Sequence, residues 1–245
     1  IKQLSPMPIK VSLLRDFCSS PLSICRSLER KELIELFKKE NEISTKGLSF
    51  EPVEKKIDFN KDQSNVIKAI NNSLGKKQFN SHLLHGVTGS GKTEIFIEVI
   101  KTVIKKNETA IVLLPEISLT PQIAGRFKSV FPGKIALWHS QLTKAQRDST
   151  WEKIHSGIYD IVIGARSAIF TPLKNVGLII IDEEQDSSYK QESPSPRYHA
   201  RDVAIVRAKF EKANILLSSA TPSLESFYNS KNNKHKYLNL PNRYG

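Results

Sequence analysis

Residues Gly86–Thr93 read Gly-Val-Thr-Gly-Ser-Gly-Lys-Thr, with an apolar run before them and a helical pattern after them. Leu83 and Leu84 precede this turn, and Ile95, Phe96, Val99, Ile100, Val103 and Ile104 follow it at helical spacing. Strand, glycine-rich loop, helix is a narrow specification, because the helix must cross over to a parallel neighbouring strand. The eight residues fit G-x-x-x-x-G-K-[ST], a loop whose backbone N–H groups surround phosphate oxygens. Gly86, Gly89 and Gly91 let the main chain approach an anion without side-chain interference, with Thr88 and Ser90 between them. Lys92 would reach the β and γ phosphates of a nucleotide, and the Thr93 hydroxyl would ligate magnesium. The bland alternative, a Gly/Ser turn that happens to contain Lys and Thr, does not explain the strand and helix around it.

A second stretch supplies acids. Leu178-Ile-Ile-Ile-Asp-Glu-Glu184 is an apolar strand that delivers Asp182 and Glu183 to the carboxyl edge of a parallel sheet, where open α/β folds bind ligands. Asp182 would hold the magnesium, directly or through water, and Glu183 would position or deprotonate an attacking water. The alternative is that these acids merely end a strand and face solvent.

From Phe59 onward, apolar strands alternate with amphipathic helices, the signature of a parallel sheet. Strands are expected at 81–85, 109–114, 135–138, 160–164, 178–182 and 215–219, and helices at 62–74, 92–106, 119–130, 143–156, 200–212 and 222–230. Residues 59–245 thus form one α/β lobe with helices on both faces of the sheet. Residues 46–58 read as a polar linker, and 1–45 as a small helical unit. Within that unit two helices are expected over 10–42, with Leu14, Leu28, Leu33, Ile34 and Leu36-Phe37 as apolar positions and a break at Ser19-Ser20-Pro21. A helical pair of this kind suits a winged-helix remnant and any small hairpin equally.

The 245 residues carry a net charge of +12, which attracts polyanions, nucleic acid first among them. Cys18 and Cys25 fit neither a disulfide framework nor a zinc site and read as thiols in a reducing compartment. No apolar run approaches the ~20 residues that cross a bilayer, and no signal-peptide layout opens the chain. Those features favour a cytoplasmic setting without a membrane. A start at Ile1 and a stop at Arg243-Tyr244-Gly245 lead us to expect a fragment of a longer polypeptide.

Further residues suit a strand of nucleic acid and its coupling to the nucleotide. Gln63 carries the donor and acceptor an adenine edge needs. Ser118, Thr120, Gln122 and Arg126 follow one strand and Arg166 and Ser167 another, where each could donate to phosphates. Hydroxyls at helix starts also simply cap. Ser187–Arg201 mixes Tyr189, Lys190, Arg197, Tyr198, His199 and Arg201 in a Pro/Ser loop, the combination that stacks on unpaired bases. Ser219 and Thr221, ending the last strand, could bridge the acids to that track, although Thr221-Pro222 is also a good helix start.

Taken in order, GVTGSGKTE, LLPEISLTPQ, His139-Ser140, GARSAIFTP, IIIDEEQDSSYKQ, PRYHARDVA and SSATPSLES resemble the first motor lobe of the PriA family, superfamily-two DNA helicases of replication restart. The resemblance spans about residues 59–228 and implies a RecA-like ATP-binding lobe preceded by a winged-helix remnant. It implies ATP- and Mg2+-driven 3′-to-5′ movement on single-stranded and forked DNA. It further implies partners among primosome proteins and single-strand binding protein. Lys92, Thr93, Asp182 and Glu183 match the family's phosphate, metal and water residues, and Tyr189–Arg201 its aromatic-rich loop. Gln185 stands where the family usually has His; Gln also hydrogen-bonds, so activity is expected to survive. The family's amino-terminal DNA 3′-end-binding domain, its second lobe with an arginine finger and its zinc-binding cysteines have no counterpart among these residues, so zinc is expected only outside this chain. The rival readings are a phosphate-loop ATPase that is not a helicase, a truncated non-catalytic DNA-binding module, and another superfamily-two enzyme.

Overall fold

The computed structural model describes residues 11, 14, 18, 20–36 and 58–243, and the chain divides into two compact units, Ile1–Gly47 and Leu48–Gly245. In the first, helix α1 (Pro21–Arg30) starts with a proline in its first turn, where the missing N–H costs nothing. It ends sooner than the apolar pattern suggests. Glu32 takes a left-handed φ of 57°, and Leu33 N–H closes back on the Leu28 carbonyl at 3.1 Å, a Schellman-type stop. Leu33, Ile34 and Leu36 therefore lie beyond the helix, and residues 37–42 of the expected second helix lie outside the described residues. Cys25 is buried, and Cys18 Sγ donates to the Leu14 carbonyl at 3.3 Å.

The second unit is built on seven parallel strands: β1 (Asn80–Gly86), β2 (Thr109–Leu113), β3 (Ile135–Trp138), β4 (Ile161–Gly164), β5 (Val176–Ile181), β8 (Asn214–Ser219) and β9 (Lys236–Leu240). Their order is β3-β4-β2-β5-β8-β1-β9. Every residue of β3, β4, β5 and β8 is buried, as expected for strands covered on both faces. That is why continuous Val/Ile/Leu runs revealed them. Crossovers are made by α3 (Lys92–Lys105), α4 (Pro121–Val130), α5 (Lys144–His155), α6 (Ala200–Glu211) and α7 (Leu224–Lys231), with α2 (Lys61–Asn71) ahead of β1. A 3-10 turn (Arg166–Phe170) bridges β4 and β5. Capping boxes start α2 (Asn60 with Gln63) and α5 (Thr143 with Gln146).

Two features differ from expectation. Strand β9 adds a seventh member at the sheet edge, pairing with β1 from His82–Lys236 to Gly86–Leu240. A two-stranded antiparallel hairpin, β6 (Lys190–Gln191) and β7 (Tyr198–His199), gives form to the Pro/Ser loop.

Candidate nucleotide and nucleic-acid site

Strands β5, β8 and β1 are neighbours, so their carboxyl ends bring the acids, the Ser218–Thr221 turn and the glycine-rich loop side by side. Gly89 and Gly91 hold φ of 78° and 82°, and a Cβ built on Gly89 meets nothing within 4 Å. The loop therefore keeps an open face where an anion would lie. Helix α3 begins at Lys92 with no side-chain cap, which leaves its first-turn N–H groups for a ligand. Ser90 is buried with an unpartnered Oγ, while Thr88 is exposed. Lys92 Nζ donates to the Gly86 carbonyl at 2.9 Å and lies 3.7 Å from the Glu183 carboxylate.

Asp182 follows directly on β5. Its backbone N–H donates to the Leu113 carbonyl (3.0 Å), its carbonyl accepts the Tyr189 hydroxyl (2.7 Å), and its carboxylate accepts the Ser218 hydroxyl (3.0 Å). Burial pushes the Asp182 carboxyl above the usual range and the Glu183 charge pushes the same way, while Ser218 and Lys92 pull it back. These groups fit a nucleotide with magnesium: uncapped N–H groups and Lys92 for phosphate oxygens, Thr93 on the first turn of α3 and Asp182 for the ion. Such an ion keeps several waters and phosphate oxygens besides one or two protein ligands, and supplies charge neutralisation on the phosphates. Gln185 Nε2 donates to Glu183 at 3.0 Å.

Several expected roles do not survive the geometry. Gln63 is buried: its amide oxygen accepts Asn60 N–H (3.0 Å) and its nitrogen donates to the Ser90 carbonyl (2.9 Å). It thus braces the loop from behind rather than presenting a free edge to a base. Tyr189 is 0% exposed with its hydroxyl on Asp182, so it cannot stack on a base; burial among four acids pushes its phenol well above the ordinary value. Arg201 is buried, with its guanidinium already taken up by Glu184 (3.1 Å) and Glu225. Arg126 forms a bidentate pair with Glu94 at 2.9 and 2.8 Å, and Thr120 caps α4 by accepting Ile123 N–H. Ser219 Oγ accepts Thr221 N–H at 2.8 Å; the serine that reaches the acids is Ser218.

What stays at the carboxyl edge is a smaller set. Ser118 is half-buried and Gln122 exposed, and Ser167 is exposed while accepting Trp138 Nε1–H at 3.1 Å. Arg166 donates to the Lys190 carbonyl at 2.8 Å and lies over the Tyr198 ring at 5.7 Å, and Phe170 meets that ring edge-on at 5.1 Å. The hairpin is thereby docked on the loop that follows β4. It lines an open cleft of about 610 Å³ with Lys190, Arg197, Tyr198 and His199. His199 N-caps α6, and burial holds its imidazole below the ordinary value, with Arg201 adding to the effect.

The sequence profile of the DEAD/DEAH box helicase family matches residues 60–229, most of the chain. The chain belongs to that helicase family. This helicase chain is 48% identical to replication restart protein PriA of Bacillus subtilis over 182 residues, which is 74% of the chain and 22% of that relative. With PriA of Chlamydia pneumoniae it shares 40% over 237 residues, 96% of the chain and 32% of the relative. With that of Haemophilus influenzae it shares 49% over 192 residues, 78% and 26% respectively. The resemblance to the restart helicases drawn from the motifs is thus borne out, and the chain spans about a fifth to a third of these relatives' length. Among solved structures, RecG bound to a three-way DNA junction matches with TM-score 0.58 at 20% identity, covering 77% of this chain and 24% of RecG. The DNA-bound helicase MrfA matches at 0.56 and 17%, covering 78% and 27%. At such identities these two establish the fold of the helicase lobe alone.

Sequence reasoning missed Ser218, Glu184 and the inward turn of Tyr189. Ile181 pairs with Leu217 across β5 and β8, so the next residues, Asp182 and Ser218, come side by side. That register becomes readable only once the strand order of the helicase lobe is known.

Proposed function

We propose that this chain is the ATP-binding motor lobe of a 3′-to-5′ DNA helicase of replication restart, one that remodels stalled forks and starts primosome assembly. The observation that carries the reading is the convergence of Lys92 on Glu183, with Asp182 held by Ser218, at the open end of a phosphate loop. In this reading Lys92 binds the β and γ phosphates, Thr93 and Asp182 hold Mg2+, and Glu183 orients the attacking water. Single-stranded DNA would cross the ends of β3, β4 and β2, meeting Ser118, Gln122, Arg166, Ser167 and the hairpin's Lys190, Arg197 and Tyr198. The PriA relatives, named as replication restart proteins, support the restart role; in this reading the setting is the cytoplasm and the partners are forked DNA, primosome proteins and single-strand binding protein. The DNA bound to RecG and to MrfA agrees with DNA as the polymer.

The test is the affinity of the chain for a fluorescent ATP analogue, with and without single-stranded DNA, in parent and Lys92→Ala. Mg2+-dependent binding that Lys92→Ala abolishes and DNA alters is the expected result. Tight binding indifferent to DNA would favour an ATPase that is not a helicase. Binding of DNA with no binding of nucleotide would favour a non-catalytic DNA-binding module.

A further inference from the structure

Glu183 is held at φ 45°, a left-handed conformation in which a side chain crowds its own carbonyl. Such a backbone persists only where the surroundings over-determine it. Both of its neighbours are fixed. Asp182 is tied at N–H, carbonyl and carboxylate to Leu113, Tyr189 and Ser218. Glu184 donates its N–H to the Ser218 carbonyl at 3.0 Å, and its fully buried carboxylate sits at the amino end of α7. There it accepts Ser223 N–H (2.7 Å), Ser223 Oγ (3.1 Å) and Ser226 Oγ (2.9 Å). Arg201 supplies the counter-charge at 3.1 Å and is itself held by Glu225 and by Asp202 at 3.3 Å. A buried carboxylate without that cation would be costly to keep ionised.

We infer that Glu184 and Arg201 are positioning residues for Glu183: by anchoring residue 184 to the start of α7 they force the left-handed turn that aims the Glu183 carboxylate at Lys92. The same clamp fixes the Ser218–Ser223 turn against the acidic strand end, so the two segments move as one. The backbone part stands on geometry alone, and the catalytic part rests on the proposed role of Glu183.

A stability cycle tests the backbone part without any turnover. At a left-handed position glycine is favoured over alanine, so Glu183→Gly should exceed Glu183→Ala by about tenfold in the folding equilibrium constant. In a Glu184→Ala background that advantage should fall below about threefold, and in Arg201→Lys, which keeps the charge but loses the planar fork, it should be intermediate. If Glu184→Ala does not fold, Arg201→Lys alone carries the cycle. An undiminished glycine advantage in these backgrounds, or none in the parent, overturns the inference. The catalytic part is read from single-turnover hydrolysis of bound ATP: Arg201→Lys and Glu184→Ala should slow it at least ~10-fold at unchanged nucleotide affinity. Weaker affinity with an unchanged rate would mean a merely structural clamp. Should Glu183→Gln hydrolyse like the parent, the reading of Glu183 fails, whereas the stability cycle still decides the backbone claim.

Discussion

His82 sits in the middle of β1, 2% exposed, with Nδ1 unpartnered and Lys236 opposite it on β9. Burial, and then the Lys236 charge, holds its imidazole down from 6.5 to about 4, so the folded chain keeps it neutral. Between those values the unfolded chain binds a proton that the folded chain refuses, so stability rises with pH across this window. The contribution is complete above about pH 6.5 and is lost as pH falls toward 4. Between pH 7 and pH 5 it amounts to about 2 kcal/mol. Urea midpoints of the parent and of His82→Leu at both pH values check this: the parent should lose stability on acidification and His82→Leu should lose distinctly less. Equal losses would mean that His82 does not govern the window. The same burial logic separates legible site residues from illegible ones. Gly86–Thr93 and Asp182-Glu183 are readable because their chemistry is local to one loop and one strand end. Tyr189 and Arg201 look like nucleic-acid contacts in sequence, since nothing local reveals that Tyr189 turns onto the Asp182 carbonyl or that Arg201 neutralises a buried Glu184.

At the scale of elements, strands with continuous apolar runs declared themselves within a residue or two, whereas β9 did not. Lys236-Tyr-Leu-Asn-Leu240 alternates, buries only Leu238 and Leu240, and reads like a polar tail until β1 is there to pair with it. Yet this strand buttresses the phosphate loop. The Leu240 carbonyl accepts Val87 N–H at 3.2 Å, and a Cβ placed on Gly86 would come within 3.2 Å of the Leu240 Cβ and 2.8 Å of Ser90 Oγ. Leu240→Ala should therefore cost about 2–5 kcal/mol, the range for emptying a buried leucine site. It should also weaken nucleotide binding, because the loop loses its edge support. Urea unfolding and fluorescent-ATP titration of the variant check both, and a cost under about 1 kcal/mol would show β9 to be incidental. Arg207 plays the complementary part on the other half of the sheet. It donates to the carbonyls of Thr171 (2.9 Å) and Leu173 (3.1 Å), fixing α6 to the chain that leads from the Arg166 turn into β5.

For the molecule as a whole, the decisive property is how the sheet order divides its carboxyl edge. The ends of β5, β8 and β1 gather the nucleotide groups, and those of β3, β4 and β2 the exposed polar and aromatic ones. Strand separation needs more than that edge. In related phosphoryl-transfer sites an arginine reaching the γ-phosphate is worth ~10³–10⁵ in rate. Three arginines near this site are otherwise engaged: Arg126 with Glu94, Arg201 with Glu184 and Glu225, Arg166 with the hairpin carbonyls. Moving along a strand also requires two grips that alternate, and the lobe formed by the described residues offers one seven-stranded sheet edge for one of them. Residues 1–245 should therefore bind nucleotide with Mg2+ and hold single-stranded DNA weakly, yet leave a forked duplex intact at any ATP concentration. A fork carrying a fluorophore and quencher on opposite strands reads this directly, with Lys92→Ala as the blank. Strand separation above that blank would mean that one lobe suffices, and that the arginine pairs described above open during turnover.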